Sequence, residues 1–137
     1  METPQKTPAE LFAAQALASQ VKKELTENIL PYWMGKMINP DGGFYGRIDG
    51  LENLDPESPV GNIMTARMLW TFASAYRLLG NQEYLDMALR AKDFIISNFY
   101  DPELGGTYWS LSSDGSPLDT KKQIYAIAFT IYGLAEL

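Results

Sequence analysis

The chain has 137 residues, 46% of them apolar, with 11 basic against 17 acidic side chains and a net charge of −6. That is material for one packed domain, and it excludes disorder and speaks against a polyanionic partner such as nucleic acid. The absence of cysteine excludes disulfides, thiolate metal sites and cysteine nucleophiles, and the absence of histidine removes the commonest general base and the usual imidazole metal sites.

No apolar stretch is long and charge-free enough to span a bilayer, and residues 1–6 lack the basic-then-apolar layout of a signal peptide. The expectation is a cytoplasmic protein with no membrane partner, its residues 1–7 lacking order. Thr7-Pro8-Ala9-Glu10 is a capping box with proline at the first helical position. Leu11, Ala14, Ala18, Val21, Leu25 and Ile29 follow at steps of three and four, which predicts a helix that Pro31 stops. Residues 35–50 are rich in turn formers, and Phe44 to Gly50 reads as a short irregular β-hairpin.

From about Gly61 to Leu79 the chain is apolar nearly all round, the pattern of a buried helix. Gly80-Asn81 supplies a break and a new N-cap. The third helix sets Tyr84, Leu85, Ala88, Phe94, Ile95 and Phe99 on one side and Arg90, Lys92 and Asp93 on a side facing water. A second hairpin is expected from Gly105 to Leu118, turning at Asp114-Gly115. Asp119 or Thr120 is the expected cap of a fourth helix, whose apolar pattern (Ile124, Ala128, Phe129, Ile131, Tyr132, Leu134, Ala135) still runs at Leu137.

One phrase occurs twice. Asn39-Pro40-Asp41-Gly42-Gly43-Phe44-Tyr45 returns as Asp101-Pro102-Glu103-Leu104-Gly105-Gly106-Thr107-Tyr108, with the glycine pairs 63 residues apart and a helical segment on either side of each. A long fixed period marks a repeat architecture, whose units cannot cover their apolar faces alone. Barely two units are present, so an incomplete array is expected.

Arg67 is the sharpest candidate for chemistry. It lies mid-way along the all-apolar helix with no Asp or Glu within four residues, so a buried guanidinium there needs a tertiary partner or a ligand. Both a structural ion pair and a ligand contact fit that reading. Tyr125 offers a hydroxyl near the start of the fourth helix, for a ligand or for water. Trp33, Tyr45, Tyr108 and Trp109 stand near the hairpins, where aromatic faces either pack or stack on sugar rings. The acid pairs Glu52/Asp55 and Asp101/Glu103 read as solvated loop residues. Nothing marks a phosphate loop or a nucleophile elbow.

The run Gly61-Asn62-Ile63-Met64-Thr65-Ala66-Arg67-Met68-Leu69-Trp70-Thr71-Phe72 resembles the N-terminal part of the cellobiose 2-epimerases, of the N-acylglucosamine 2-epimerase superfamily. Tyr100-Asp101-Pro102 through Gly105-Gly106-Thr107-Tyr108-Trp109 and Asp119-Thr120-Lys121-Lys122-Gln123-Ile124-Tyr125-Ala126 fit the same family, the likeness running from about Leu25 to Leu137. Ile127 departs from it, standing where the family pattern has glutamine.

The resemblance implies an all-α fold: helical hairpins of an (α/α)6 barrel, here incomplete with about four helices, with short β-hairpins in the connections. Residues 1–137 would be the N-terminal part of that single catalytic domain, whose partner is the missing C-terminal part of the barrel. It implies inversion at C2 of the reducing-end glucose of a cellobiose-type disaccharide, through ring opening and an enediol, with no metal and no cofactor. Arg67 is similar to the family's cleft arginine, which stabilises developing charge, and Tyr125 to a tyrosine that hydrogen-bonds the substrate. The family's acid/base histidines lie later in sequence, so the chain alone is expected to be inactive. Two alternatives stay open: a monosaccharide 2-epimerase or aldose–ketose isomerase of the same superfamily, and a non-catalytic four-helix module that binds sugars or protein.

Overall fold

The computed structural model describes residues 7–137. The chain divides into two compact units, Met1–Lys36 and Met37–Leu137.

In the first unit, helix α1 (Pro8–Glu24) begins at Thr7, whose hydroxyl accepts the Glu10 N–H while the Glu10 carboxylate accepts the Thr7 N–H at 2.7 Å. The capping box therefore forms at Thr7, the last of the residues expected to lack order. The rest of the stretch expected to lack order, residues 1–6, lies outside the described residues. The expected stop at Pro31 does not occur. Leu25–Ile29 widen into a π turn in which the Leu30 N–H reaches the Leu25 carbonyl, and helix α2 (Leu30–Lys36) follows. Proline has no N–H to place at the second position of α2. The wider turn ahead of it relieves the ring's clash with the preceding turn.

The second unit opens on the first glycine turn. Ile38 and Phe44 form an isolated antiparallel bridge, and strand β1 (Arg47–Ile48) pairs with β2 (Leu54–Asp55). The expected hairpin exists, but its return strand lies beyond Gly50, around a turn in which the Asp49 carboxylate accepts the N–H groups of Leu51 and Asn53. Strand β3 (Val60–Gly61), unforeseen in the sequence, pairs with β4 (Ser110–Leu111), which pairs in turn with β5 (Pro117–Asp119), all antiparallel. This small sheet ties the start of helix α3 (Asn62–Leu79) to the second hairpin, whose turn has Gly115 at φ +84°.

Helix α3 ends at Gly80, at φ +72°, and Asn81 caps helix α4 (Gln82–Phe94) by accepting the Glu83 N–H. A second π turn, Ile95–Phe99, closes α4. Helix α5 spans Ile124–Glu136 with Gln123 as N-cap, so neither Asp119 nor Thr120 caps it. Asp119 is already engaged: its carbonyl accepts the Trp109 N–H in the sheet and its carboxylate accepts the Lys121 N–H. Arg90, expected to face water, is half-buried; its guanidinium donates to the carbonyls of Gly43 (2.8 Å) and Asn39. Asp101 is buried, not solvated, and its carboxylate accepts Lys122 Nζ at 2.7 Å and the N–H groups of Glu103 and Leu104.

The core of this unit gathers Phe44, Leu69, Phe72, Ile95, Phe99 and Leu111, all fully or nearly fully buried. Helix α3 packs against both α4 and α5. At Gly133 of α5 a Cβ would stand 2.8 Å from the Ala66 carbonyl oxygen, so only glycine admits this closeness of approach. Two neighbours cover two sides of α3 and leave a third open. The helix is therefore not buried all round, as its composition had suggested.

Candidate functional site

Arg67 projects from that open side of α3. It is exposed, which corrects the expectation of a guanidinium enclosed in hydrocarbon. Its Cζ lies 6.0 Å from the centre of the Phe129 ring on α5. Tyr125, one turn earlier on α5 and 62% exposed, packs edge-on against the same ring, with centroids 4.9 Å apart at 77°. The two residues singled out in the sequence thus meet on one aromatic side chain.

They flank two adjoining concavities. One, of about 240 Å³, is lined by Arg67, Trp70, Thr71, Phe129 and Tyr132. The other, of about 310 Å³, is lined by Tyr125, Ala128, Phe129 and Tyr132. Trp70 and Tyr132 stack face to face, 5.3 Å apart at 12°, and form the aromatic wall. The Trp70 indole N–H is buried with no hydrogen-bond partner among the described residues. Among those residues Arg67 has no ion pair with a carboxylate. A cation over an aromatic face, beside a ring-lined hollow, suits a ligand with apolar C–H faces and oxygen atoms.

Sequence reasoning missed Trp70, Phe129 and Tyr132, which read as core residues of apolar helices. The available signal was spacing: Arg67 and Trp70, Tyr125 and Phe129, and Phe129 and Tyr132 are three or four apart and share a helix face. It also missed Asn62. This side chain is fully buried and donates to the hydroxyls of Thr107 (2.7 Å) and Thr130 (3.2 Å), while its backbone N–H donates to the Trp109 carbonyl. Thr130 adjoins Phe129, and Asn62 begins the helix that carries Arg67. This polar knot therefore sets the two halves of the site against each other.

The segment leading to Tyr125 is held as well. Lys122 donates to Asp101, and this bond, with the N–H groups of Leu104 and Glu103, keeps the Asp101 carboxyl below its ordinary value. Lys122 Nζ also lies 4.2 Å from the centre of the Tyr108 ring, and Lys121 Nζ lies 4.8 Å from that of Trp109. Those two aromatics carry lysines on their faces, and none of Trp33, Tyr45, Tyr108 and Trp109 lines the hollows beside Arg67. A larger concavity, about 490 Å³ along α4, contains neither Arg67 nor Tyr125. Among the described residues no group of three acidic side chains could hold a metal ion, and no helix is long and apolar enough to cross a membrane.

The sequence model of the N-acylglucosamine 2-epimerase (GlcNAc 2-epimerase) family matches residues 43–137, the stretch that contains both glycine turns' second glycines and the whole site. The chain belongs to this family. It is 58% identical over 123 residues to a cellobiose 2-epimerase of Bacteroides fragilis, covering 89% of this chain and 31% of that protein. A cellobiose 2-epimerase of Ruminococcus albus is 43% identical over 120 residues, covering 87% and 31%. Among solved structures, a sugar epimerase from a ruminal bacterium superposes with a TM-score of 0.85 at 41% identity, over 88% of this chain and 31% of that one. The cellobiose 2-epimerase of Spirochaeta thermophila gives 0.86 at 38% identity, over 97% and 32%. A D-mannose isomerase shares the fold, with a TM-score of 0.72 at 24% identity over 80% of this chain and 28% of that one. The chain thus spans about a third of the length of the curated relatives it matches. As a family member it is built of helical hairpins of the (α/α)6-barrel type joined by short strands.

Proposed function

We propose that residues 1–137 form the N-terminal part of the catalytic (α/α)6 barrel of a carbohydrate 2-epimerase acting on cellobiose-type disaccharides. The observation that carries this reading is the meeting of Arg67 and Tyr125, from two helices, on the Phe129 ring beside an aromatic-walled hollow. In this reading the reducing-end sugar lies against that wall. Inversion at C2 passes through ring opening and removal of the C2 proton, which develops negative charge on the oxygen at C1. The Arg67 guanidinium stabilises that oxygen, and the Tyr125 hydroxyl holds a sugar hydroxyl in place. The two proton transfers need groups on opposite faces of C2, and with no histidine in the chain they fall to side chains outside it. The chain by itself therefore binds without turnover. The apolar exposure of α5 argues against a self-sufficient four-helix module, which would hide such a face.

Joining this chain to the remaining two-thirds of the Bacteroides fragilis relative, 58% identical in the shared part, supplies the test. The chimera is expected to convert cellobiose to its mannose-configured epimer, and Arg67→Ala should lower kcat/KM by about 10²–10³-fold, as loss of an oxyanion donor does. Tyr125→Phe should act mainly through KM. Undiminished turnover in the Arg67→Ala chimera, or epimerisation by the unjoined 137-residue chain, would overturn the assignment.

A further inference from the structure

Tyr125, the second residue of α5, stands in a thinly supported stretch of the second unit. Residues 120–125 are all exposed, Ile124 to 84%, and the first buried side chain of the helix is Ala126. The N-cap Gln123 makes no side-chain capping bond, and the first turn closes through the Ile127 N–H to the Gln123 carbonyl at 3.1 Å. A helix start with neither a cap nor a buried anchor frays, because nothing local offsets the entropy of ordering it. The edge contact of Tyr125 with Phe129 does not change this, since both rings belong to α5. The body of the helix is held separately: Ala126, Thr130 and Gly133 are buried, α5 packs on α3, and Asn62 bonds to Thr130.

Two lysines sit just ahead of this turn, and they differ. Lys121 pairs with Asp119 at 2.9 Å, two residues away, and both side chains are well exposed, so water screens the pair and it contributes little. Lys122 reaches across the fold. Its side chain is 30% exposed, and its ammonium lies 2.7 Å from the carboxylate of Asp101, a side chain only 8% exposed, and 4.2 Å from the centre of the Tyr108 ring. That anchor is itself fixed. The Asp101 N–H donates to the Gly106 carbonyl and its carbonyl accepts the Gly105 N–H, while its carboxylate accepts the N–H groups of Glu103 and Leu104. The Tyr108 N–H donates to the carbonyl of Phe99, which is fully buried. Lys122 thus ties the exposed start of α5 to a turn rooted in the core.

We propose that Lys122 and Asp101 are the positioning pair for Tyr125, pinning the first turn of α5 to the second glycine turn so that the tyrosine hydroxyl is presented to the sugar. The pair acts through Tyr125 and not on the sugar itself. It therefore serves affinity, and neither the proton transfers nor the oxygen that Arg67 stabilises depends on it. This inference rests on the sugar-site reading above.

Two measurements keep the pinning and that reading apart. Amide hydrogen exchange on the 137-residue chain reads the first. Lys122→Met should speed exchange at Ile127 by about tenfold or more, the effect of losing a charged hydrogen bond to a buried carboxylate. Exchange at Gly133 should stay as it was, which shows the variant folded, and Lys122→Arg should keep Ile127 close to wild type. Unchanged exchange at Ile127 in Lys122→Met would overturn the proposal. The second measurement uses the chimera with the Bacteroides fragilis relative. There Lys122→Met should raise KM for cellobiose by about three- to tenfold with kcat unchanged, because the binding-competent placement of Tyr125 is less populated. Lys122→Arg should restore KM. In a Tyr125→Phe background no hydroxyl is left to place, so adding Lys122→Met should raise KM no further. An equal rise in both backgrounds would overturn the proposal, since the lysine would then act elsewhere than through Tyr125. Wild-type KM in the Tyr125→Phe chimera, beside quickened exchange at Ile127 in Lys122→Met, would overturn the sugar contact and with it the pair's part in affinity, while the pinning of the helix stands.

Discussion

Replacing Asn62 by alanine tests whether the buried polar knot holds α3, the second glycine turn and α5 together. Asn62 is fully buried, as is Thr65 one turn on, and Thr107 and Thr130 are 4% and 5% exposed. Removing the amide takes away the donors to Thr107 Oγ1 and Thr130 Oγ1. Thr130 keeps the Ala126 carbonyl as an acceptor at 3.1 Å, whereas the Thr107 hydroxyl loses its partner in the knot. One stranded buried hydroxyl, a second weakened one and a small cavity together cost about 2–4 kcal/mol. For a chain of this size that lowers Tm by about 10 °C. Thermal unfolding followed by circular dichroism at fixed protein concentration measures it, since association shifts Tm by mass action. The double-mutant cycle with Thr107→Val is the sharper reading: once Thr107 has no hydroxyl, losing Asn62 should cost at least about 1 kcal/mol less. Additive effects within about 0.5 kcal/mol would refute the claim that this pair is coupled.

Further outcomes follow from the same geometry. Gly43→Ala should destabilise by more than about 2 kcal/mol, because Gly43 has φ +59° and a Cβ there would fall 2.5 Å from the Phe94 ring. Gly105→Ala meets open space at φ +72° and should cost only the left-handed backbone penalty of about 1 kcal/mol; urea midpoints of the two variants compare them directly. The carboxyls of Asp101, held down first by Lys122, and Glu136, held down by Ser74 and then Arg77, lie below their ordinary values of 3.8 and 4.5. The unfolded chain therefore binds protons first, so the stability these groups contribute is present above those values and is lost as pH falls through the depressed ones. Asp101→Asn and Glu136→Gln should each flatten the acid limb of the urea midpoint against pH, and an unchanged limb in both would contradict the ion-pair geometry.

Much of this molecule can be read along the chain. The capping box at Thr7, the Gly80–Asn81 break and the Asp114–Gly115 turn are local, because cap and turn preferences are decided within four or five residues. The repeated glycine phrase and the motif around Arg67 were equally visible, and they pointed to the family and the barrel type that the comparisons bear out. Other features required the fold. Pro31 marks the end of a regular helix by local rules, but a π turn absorbs it. Asp119 reads as a cap, but sheet pairing with Ser110 claims it first. Asp101 reads as a loop acid until Lys122, 21 residues later, closes over it.

For the site the division is sharper. Sequence by itself singled out Arg67 and Tyr125 as candidates and showed that these 137 residues hold no histidine, since identity and composition are properties of the chain. Only the tertiary structure decided that both rest on Phe129, that Arg67 stands at the rim of a hollow instead of inside the core, and that Asn62 holds the arrangement. The physical reason is reach: a helix face can be counted from periodicity, but which side its neighbours leave uncovered depends on how closely α5 approaches α3, and that is set by Gly133 against the Ala66 carbonyl.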